Sequence, residues 1–418
     1  MRDVLTTRGR AFVAAGVTLL LGGLLLGFPD ITRVGVLLGA LPLLAGVSAR
    51  RKSSGVVVTR AVVPAQLVPD QSASVAVVLQ NTSGRRTMLQ LAEERVAYVL
   101  GDRQRFVLTP MEPGEIREVD YQIRSHVRGR HTLGPLMLRV RDPFGLATIG
   151  ASLPGSTDVL VLPRIEVLGS GQPRSDGIGA EGAIPHMVAL HGEDDVAIRS
   201  YRDGDDLRRI HWPATAHRSE LMVRQEDRPA RRRAVIVLDS RAEGHRGSGA
   251  LGSFEWAVTA AASIAAHLSG RSYALHLVSS ETAAAGEATA SVEIDAALAS
   301  LAVAQLGVAQ EFEVVLHCAH PLTSAGGLVI AIVTDHDEAV LQRIAALRQP
   351  GGTGLLFLLD AASFGQKNPE VHSEQAVALA AMVAGAGWST CVVGSGMTIP
   401  NAWNTVCART AVMVGPGR

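Results

Sequence analysis

Two long apolar runs, residues 11–28 and 34–47, lie near the N-terminus and are separated by a short turn that carries Asp30 and Arg33. A helix that crosses the roughly 30 Å hydrocarbon core of a bilayer needs about 20 apolar residues, so each run is near the lower limit for spanning. Glycines within both runs let two membrane helices approach closely. The pattern predicts a transmembrane helical hairpin within residues 1–52.

Basic residues flank this hairpin on both sides. Arg2, Arg8 and Arg10 precede it, and residues 50–52 (Arg-Arg-Lys) follow it. Because cytoplasmic flanks carry the excess of Lys and Arg, we expect both ends, and the soluble body after them, to lie in the cytoplasm. The alternative, a cleaved signal peptide, is disfavoured because a second apolar run follows at once and no small-x-small cleavage site precedes soluble sequence.

From residue 53 to residue 163 the apolar positions alternate with polar ones. Val75, Val77 and Leu79 share one face of a predicted strand, and residues 119–123 and 136–140 repeat the alternation further along. Short alternating runs separated by Gly, Pro and Asn turns are typical of antiparallel sheets packed face to face. We predict a small β-sandwich here, next to the membrane.

From residue 234 to residue 418 buried strands alternate with helices, the pattern of a doubly wound parallel sheet. The predicted strands are residues 234–239, 273–278, 328–334, 355–359 and 390–393, and the predicted helices are residues 254–268, 294–304, 338–347 and 375–383. The predicted fold class is therefore α+β multidomain: a transmembrane hairpin, a β-sandwich and an α/β doubly wound domain.

Residues 164–233 form the remaining segment and contain the densest polar sequence in the chain. Its candidate site residues are Arg199, Tyr201, Gly204, Asp205, Arg208 and Trp212. Gly204 marks a tight turn, and Asp205 is placed to cap a short helix. A local network of arginines and aspartates packed against the aromatic rings is expected. It is either a recognition surface for a partner or a phosphate-like group, or an internal clamp between domains, which we favour.

Two runs in the sequence carry a family resemblance. Residues 198–226 strongly resemble the signature of the bacterial domain-of-unknown-function 58 (DUF58) proteins, and residues 141–146 (Arg-Asp-Pro-Phe-Gly-Leu) look like that family's second hallmark. With the hairpin before and the α/β segment after, the resemblance covers essentially the whole chain. It implies a C-terminal von Willebrand factor A-like domain and association with MoxR-type AAA+ ATPases.

The von Willebrand A resemblance raises the question of a metal site. In that fold an Asp-x-Ser-x-Ser loop, a threonine and a distant aspartate bind Mg²⁺ through oxygen atoms. Here Asp239, Ser240 and Asp335 are degenerate candidates only, because the loop does not place serines where the motif needs them, and Arg241 would repel the ion. Aspartates that end strands, Asp360 included, are equally explained as helix caps.

Composition excludes several function classes. The chain has 39 Lys plus Arg and 39 Asp plus Glu, so no net field attracts nucleic acid, and none is expected as a partner. Cys318, Cys391 and Cys407 form no even framework and indicate buried thiols in a reducing compartment. No P-loop and no His-Glu-x-x-His motif occurs in the sequence.

The sequence therefore predicts a non-enzymatic, membrane-anchored scaffold that partners a MoxR-type AAA+ ATPase and the lipid bilayer and needs no cofactor. Two alternatives stay open. One is a Mg²⁺-dependent adhesion or ligand-binding module that faces outside the cell, and the other is a hydrolase that uses Asp205, His211 and Asp239.

Overall fold

The computed structural model describes residues 5–51, 55–142, 144–169, 171, 197–200, 210, 212–218, 220–225, 232–324, 326–364 and 372–408. Its contacts divide the chain into two compact units. The first comprises Met1–Arg164 with Leu301–Val303, and the second comprises Ile165–Ser300 with Ala304–Arg418. Each unit is described on its own.

The first unit begins with two antiparallel helices, α1 (Thr7–Leu26) and α2 (Pro29–Arg51). Thr6 caps α1 by accepting a hydrogen bond from the Gly9 N–H, and Gly27, at φ 70°, ends it in the left-handed conformation. The two helix backbones approach closely at glycines: a Cβ added to Gly35 of α2 would lie 2.5 Å from the Leu20 nitrogen of α1. Both helices are long and apolar enough to cross a membrane.

Nine strands follow among the described residues of the first unit. They are β1 (Val56–Val63), β2 (Gln66–Leu67), β3 (Ser72–Asn81), β4 (Gln90–Val96), β5 (Arg105–Leu108), β6 (Ile116–Arg124), β7 (Gly129–Arg141), β8 (Thr148–Leu153) and β9 (Thr157–Val161). One sheet has the order β1-β3-β6, and the other has the order β2-β9-β7-β4-β5 with β8 paired to β7.

The two sheets enclose one hydrophobic cluster. Val75, Val77 and Leu79 of β3 are fully buried in it, as the alternation predicts, and they face Leu136 and Leu138 of β7 across the cluster. Alternate residues on each strand point outward, because successive side chains of a strand leave on opposite faces.

A buried ion pair connects the two sheets. Arg60 of β1 donates from Nε to Glu94 Oε1 of β4 at 2.9 Å and from Nη2 to Oε2 at 3.3 Å. The two side chains are 1% and 0% exposed. Burial raises the pKa of Glu94, and Arg60 opposes that rise. A third Arg60 donor, Nη1, reaches the Gly155 carbonyl at 3.0 Å, so the guanidinium is held on two sides.

The second unit begins with an antiparallel pair of short strands, β10 (Ala197–Ser200) and β11 (Met222–Gln225), with helix α3 (Trp212–Arg218) between them in the chain. The following elements are β12 (Arg233–Leu238), α4 (Ser253–Ser269), β13 (Ala274–Val278), α5 (Ser280–Ala284), α6 (Ile294–Val303), α7 (Ala309–Thr323), β14 (Leu328–Thr334), α8 (Glu338–Ala345), β15 (Thr353–Leu359), α9 (Ala361–Phe364), α10 (Glu374–Gly385), β16 (Ser389–Val393) and α11 (Ile399–Cys407).

Strands β12 to β16 form a parallel sheet in the order β13-β12-β14-β15-β16. On one face, Val235, Val237 and Leu356 pack against α7, α8 and α10. On the other face, Phe357 contacts Trp256 of α4, with ring centroids 6.3 Å apart. Helices therefore cover both faces, which is why all five strands are apolar and almost fully buried.

The five predicted strands and four predicted helices of this region are present within a few residues of their expected bounds. Helices α5, α7, α9 and α11 were not predicted. The coarse prediction of two apolar helices followed by sheets and mixed α/β structure is confirmed.

Candidate functional site at the carboxyl edge of the parallel sheet

Three aspartates lie at one edge of the parallel sheet. Asp239, Asp335 and Asp360 each follow directly on a strand, namely β12, β14 and β15. Because parallel strands end at the same edge, the fold gathers these residues there. They are 0%, 7% and 1% exposed, so each carboxylate needs partners within the protein.

Asp239 is paired with an arginine two residues further along the chain. Its Oδ1 accepts from the Arg241 backbone N–H and from Nε, both at 3.0 Å, and its Oδ2 accepts from Nη2 at 2.9 Å. Oδ2 also accepts from the Thr334 hydroxyl at 3.2 Å. This fork-to-fork geometry occupies both carboxylate oxygens.

Arg241 is itself almost completely buried. It is 4% exposed, its Nη1 donates to Asp337 Oδ2 at 3.3 Å, and its guanidinium carbon lies 4.9 Å from the centre of the Phe312 ring. Burial alone lowers the pKa of Arg241, but the hydrogen bonds and charge of Asp239 outweigh burial and raise it. The guanidinium is therefore a permanent internal cation at this edge.

The predicted metal ligands Asp239, Ser240 and Asp335 all lie at this edge, but each is bonded to other groups of the protein. The Ser240 hydroxyl lies 2.6 Å from the Ser280 hydroxyl of α5, and Asp335 accepts from the Ala361 N–H at 3.1 Å. Arg241 stands where the Asp-x-Ser-x-Ser motif has its first serine, and it neutralises Asp239. These residues do not fit Mg²⁺, because a fixed positive charge stands at the aspartate that would bind the ion.

The described residues contain no group of three or more His, Cys, Asp or Glu that could hold a metal ion.

Asp335 and Asp360 form a second acidic group at the same edge. Asp335 Oδ2 accepts from the Ser373 hydroxyl at 3.4 Å, and Asp360 Oδ2 accepts from the Ser373 N–H at 2.9 Å. His372 Nδ1 lies 3.5 Å from Asp360 Oδ2. Burial, reinforced by the nearby Asp360 carboxylate, raises the pKa of Asp335. Among the described residues, the buried Asp360 Oδ1 has no hydrogen-bond partner.

Three residues of this edge were not identified as site residues from the sequence. Asp337 caps α8 by accepting from the Ala339 and Val340 N–H groups, and it also binds Arg241. The sequence could have indicated this cap, because Asp337 directly precedes a segment with helical spacing. His372 and Ser373 follow no strand, so nothing in their spacing connects them with Asp360.

The signature segment is only partly within the described residues. Arg199 lies on β10, and Trp212 begins α3 with 66% of its surface exposed. The Met222 N–H donates to the Thr215 hydroxyl at 3.0 Å, which ties β11 to α3. Tyr201, Gly204, Asp205 and Arg208 lie outside the described residues, as does His211. The predicted cluster therefore stays a prediction.

A family model supports the resemblance of this region. Residues 197–305 match the model described as "Protein of unknown function DUF58". The matched range contains the β10-α3-β11 segment, the Asp239–Arg241 pair and the parallel strands β12 and β13. None of the curated proteins matches the sequence.

Solved structures give only weak likenesses. The CARDB domain of a Pyrococcus furiosus protein is 13% identical, and the match covers 25% of this chain and 91% of that chain, with a TM-score of 0.20. Pseudomonas fluorescens alkylpurine DNA glycosylase AlkC is 16% identical, with 30% and 39% covered and a TM-score of 0.17. Bacillus subtilis Spo0M, a sporulation control protein, is 12% identical, with 26% and 49% covered and a TM-score of 0.16.

The matched part spans less than half of the glycosylase and of the sporulation protein. At these TM-scores the likenesses carry no inference about fold or function.

Proposed function

We propose that this protein is a membrane-anchored, non-enzymatic scaffold or adaptor whose soluble body lies in the cytoplasm. The observation that carries the proposal is the pairing of Asp239 with Arg241. At the edge of the sheet where α/β domains usually bind ligands, this pairing neutralises Asp239 and occupies both of its carboxylate oxygens. In this proposal the second unit is a degenerate von Willebrand A-like domain that contacts proteins without a metal ion.

Membrane anchoring rests on the helical hairpin. Arg8 and Arg10 at the start of α1 and Arg50 and Arg51 at the end of α2 place the same charge at both outer margins, and Lys52 follows them in the sequence. By the positive-inside rule, this arrangement supports a cytoplasmic body.

The proposed partner is a MoxR-type AAA+ ATPase, which the DUF58 resemblance implies. The sequence lacks a P-loop, so ATP-driven work has to come from another protein. The exposed Trp212 of the signature segment is a candidate contact, since large aromatic side chains dominate the energetics of interfaces.

The test is capture of a purified MoxR-type ATPase from the same organism by the full-length protein in detergent. We expect ATP-dependent capture, and we expect Trp212→Ala to weaken it about tenfold, the loss of a modest hot spot. Leu251→Ala is the matched control, because Leu251 is 83% exposed in the same unit but lies outside the signature segment. Its capture should equal that of the unmodified protein.

Absence of capture by the unmodified protein would contradict the partnership. If Trp212 belongs to an internal clamp instead, Trp212→Ala will lower the thermal stability and leave the capture unchanged.

A further inference from the structure

The turn between β7 and β8 is a compact, internally bonded structure. The Asp142 carboxylate accepts from the Phe144 N–H at 2.9 Å and from the Ala147 N–H at 2.5 Å, and the Gly145 N–H donates to the Asp142 carbonyl at 3.0 Å. Gly145 has φ 69°, a conformation that favours glycine. The described residues of the second hallmark run therefore belong to an internally bonded turn.

This turn is bonded to the start of the helical hairpin. The Thr6 N–H donates to the Leu146 carbonyl at 3.0 Å, and the Thr6 hydroxyl donates to the Gly145 carbonyl at 2.6 Å. A Cβ added to Gly9 would lie 2.1 Å from the Leu146 oxygen, so α1 and the turn are in direct backbone contact. The turn therefore lies level with the first helical turn of α1.

The other helix fixes the same level. Leu146 and Ala147 are buried in a small cluster with Ala45 and Leu41, which lie in the second half of α2. The apolar run of α1 starts at residue 11, which lies only about 3 Å beyond Gly9 along the helix axis at ~1.5 Å per residue. With the hairpin in a bilayer, the turn lies at the boundary between hydrocarbon and headgroups.

The side chains of the turn suit that boundary. Phe144 is 68% exposed although it is the largest apolar residue there. The Arg141 side chain is exposed and folds back over the turn, so that its Nη2 would lie 3.1 Å from a Cβ added to Gly145. An exposed aromatic ring beside arginines is the combination that partitions into the interface of anionic membranes.

We propose that the turn between β7 and β8 makes a third membrane contact through its exposed side chains, with the Phe144 ring inserted between lipid headgroups and Arg141 directed towards lipid phosphates. This inference rests on the proposed membrane anchoring. Continuity with the lipid-facing surface of the hairpin selects the bilayer as occupant over a protein partner, because the exposed ring and the helices share one boundary.

Tyr98 provides a matched control in the same unit. It is an aromatic residue that is 94% exposed. It follows β4, which runs antiparallel to β7 with Gln90 opposite Val140 and Val96 opposite Leu133. Tyr98 therefore lies at the end of the sheet away from the turn, more than about 20 Å from it at ~3.3 Å per residue.

The experiment places a photoreactive benzoylphenylalanine at position 144, 98 or 25 of the full-length protein. Leu25, 85% exposed on α1, reports on the hairpin itself. Each protein is reconstituted in vesicles of phosphatidylethanolamine and phosphatidylglycerol, irradiated and analysed by mass spectrometry. We expect lipid adducts at positions 25 and 144 and at least tenfold fewer at position 98.

The three labelled positions distinguish a failure of this inference from a failure of the proposed membrane anchoring. Lipid adducts at position 25 without adducts at position 144 overturn the third contact and leave the anchoring intact. No lipid adducts at position 25 overturn both. Crosslinks from position 144 to protein instead of lipid identify that surface as a protein interface and also overturn the inference.

Discussion

Arg241 is the residue on which the character of the sheet edge depends. A buried arginine that shares two hydrogen bonds with a buried aspartate is stable only as a pair, because each partner alone would leave an uncompensated charge. The Thr334 hydroxyl donates to Asp239, and Asp337 and the Phe312 ring contact Arg241. The pair therefore connects β12, β14 and the start of α8.

We expect Arg241→Ala to destabilise the protein by about 3 to 5 kcal/mol, since it leaves Asp239 buried without its cation. The double variant Arg241→Ala with Asp239→Ala should lose markedly less than the sum of the two single losses. Chemical denaturation of the full-length protein in detergent measures these free energies. Additive losses would show that the two side chains do not depend on each other.

The same denaturation experiment should be insensitive to Mg²⁺ in the unmodified protein, because a ligand that binds the native state raises its stability and Arg241 prevents such binding here. A rise in stability with Mg²⁺ that disappears in Asp239→Ala would favour the metal-dependent module instead.

Asp335 makes stability depend on pH. Its pKa is raised above 3.8 by burial and by the neighbouring Asp360 carboxylate. His372 lies beside this acidic pair, next to Asp360. The contribution of Asp335 to stability is fully present below pH 3.8 and is lost as the pH rises through the raised pKa, because ionisation is then unfavourable in the folded state.

Asp335→Asn should remove this dependence while it keeps an oxygen that accepts from the Ala361 N–H. Relative to the unmodified protein, we expect this variant to gain stability as the pH rises from acid towards neutral, measured by thermal unfolding at each pH. Asp295→Asn, at an exposed position on α6, is the control for the substitution itself. Parallel curves for Asp335→Asn and the unmodified protein would contradict the prediction.

At the scale of elements, the Arg60–Glu94 pair holds β1 of one sheet to β4 of the other. An ion pair inside an apolar sandwich core contributes little net stability, yet it penalises any register that separates its members. Because a one-residue slip moves every side chain of a strand to the opposite face, this pair fixes the register of β1.

We expect Arg60→Met to cost about 3 to 5 kcal/mol of sandwich stability, whereas Arg60→Met combined with Glu94→Leu should be close to neutral. Arg86→Met is the matched control: Arg86 pairs with Glu112 at 3.1 Å, but both side chains are more than 60% exposed. That substitution should cost less than about 1 kcal/mol. If the double variant is as unstable as Arg60→Met alone, the cost does not come from the unpaired Glu94 charge, and the prediction is wrong.

At the scale of the whole molecule, local patterns predicted most elements. Continuous apolar runs predicted α1, α2 and the five parallel strands, because buried segments carry few polar residues. Helix α7 was missed although Phe312, Val315, Leu316 and Ala319 have helical spacing, since Val314, Val315 and Pro321 favour other conformations.

Contacts between distant residues could not be predicted in the same way. The sequence places Arg241 two residues after Asp239, but it does not determine the direction of the guanidinium. That direction is determined by Phe312 and Asp337, which belong to two other elements. Arg60 and Glu94 are 34 residues apart and meet only because the two sheets pack face to face. Single-sequence patterns carry no information on such pairings.

The hydrogen bonds from Thr6 to Gly145 and Leu146 have a mechanical consequence. They join the beginning of the first helix directly to the sandwich, so the sandwich is not attached to the hairpin through the α2–β1 connection alone. A force applied to the sandwich would therefore reach the hairpin through two connections, one at the start of α1 and one at the end of α2.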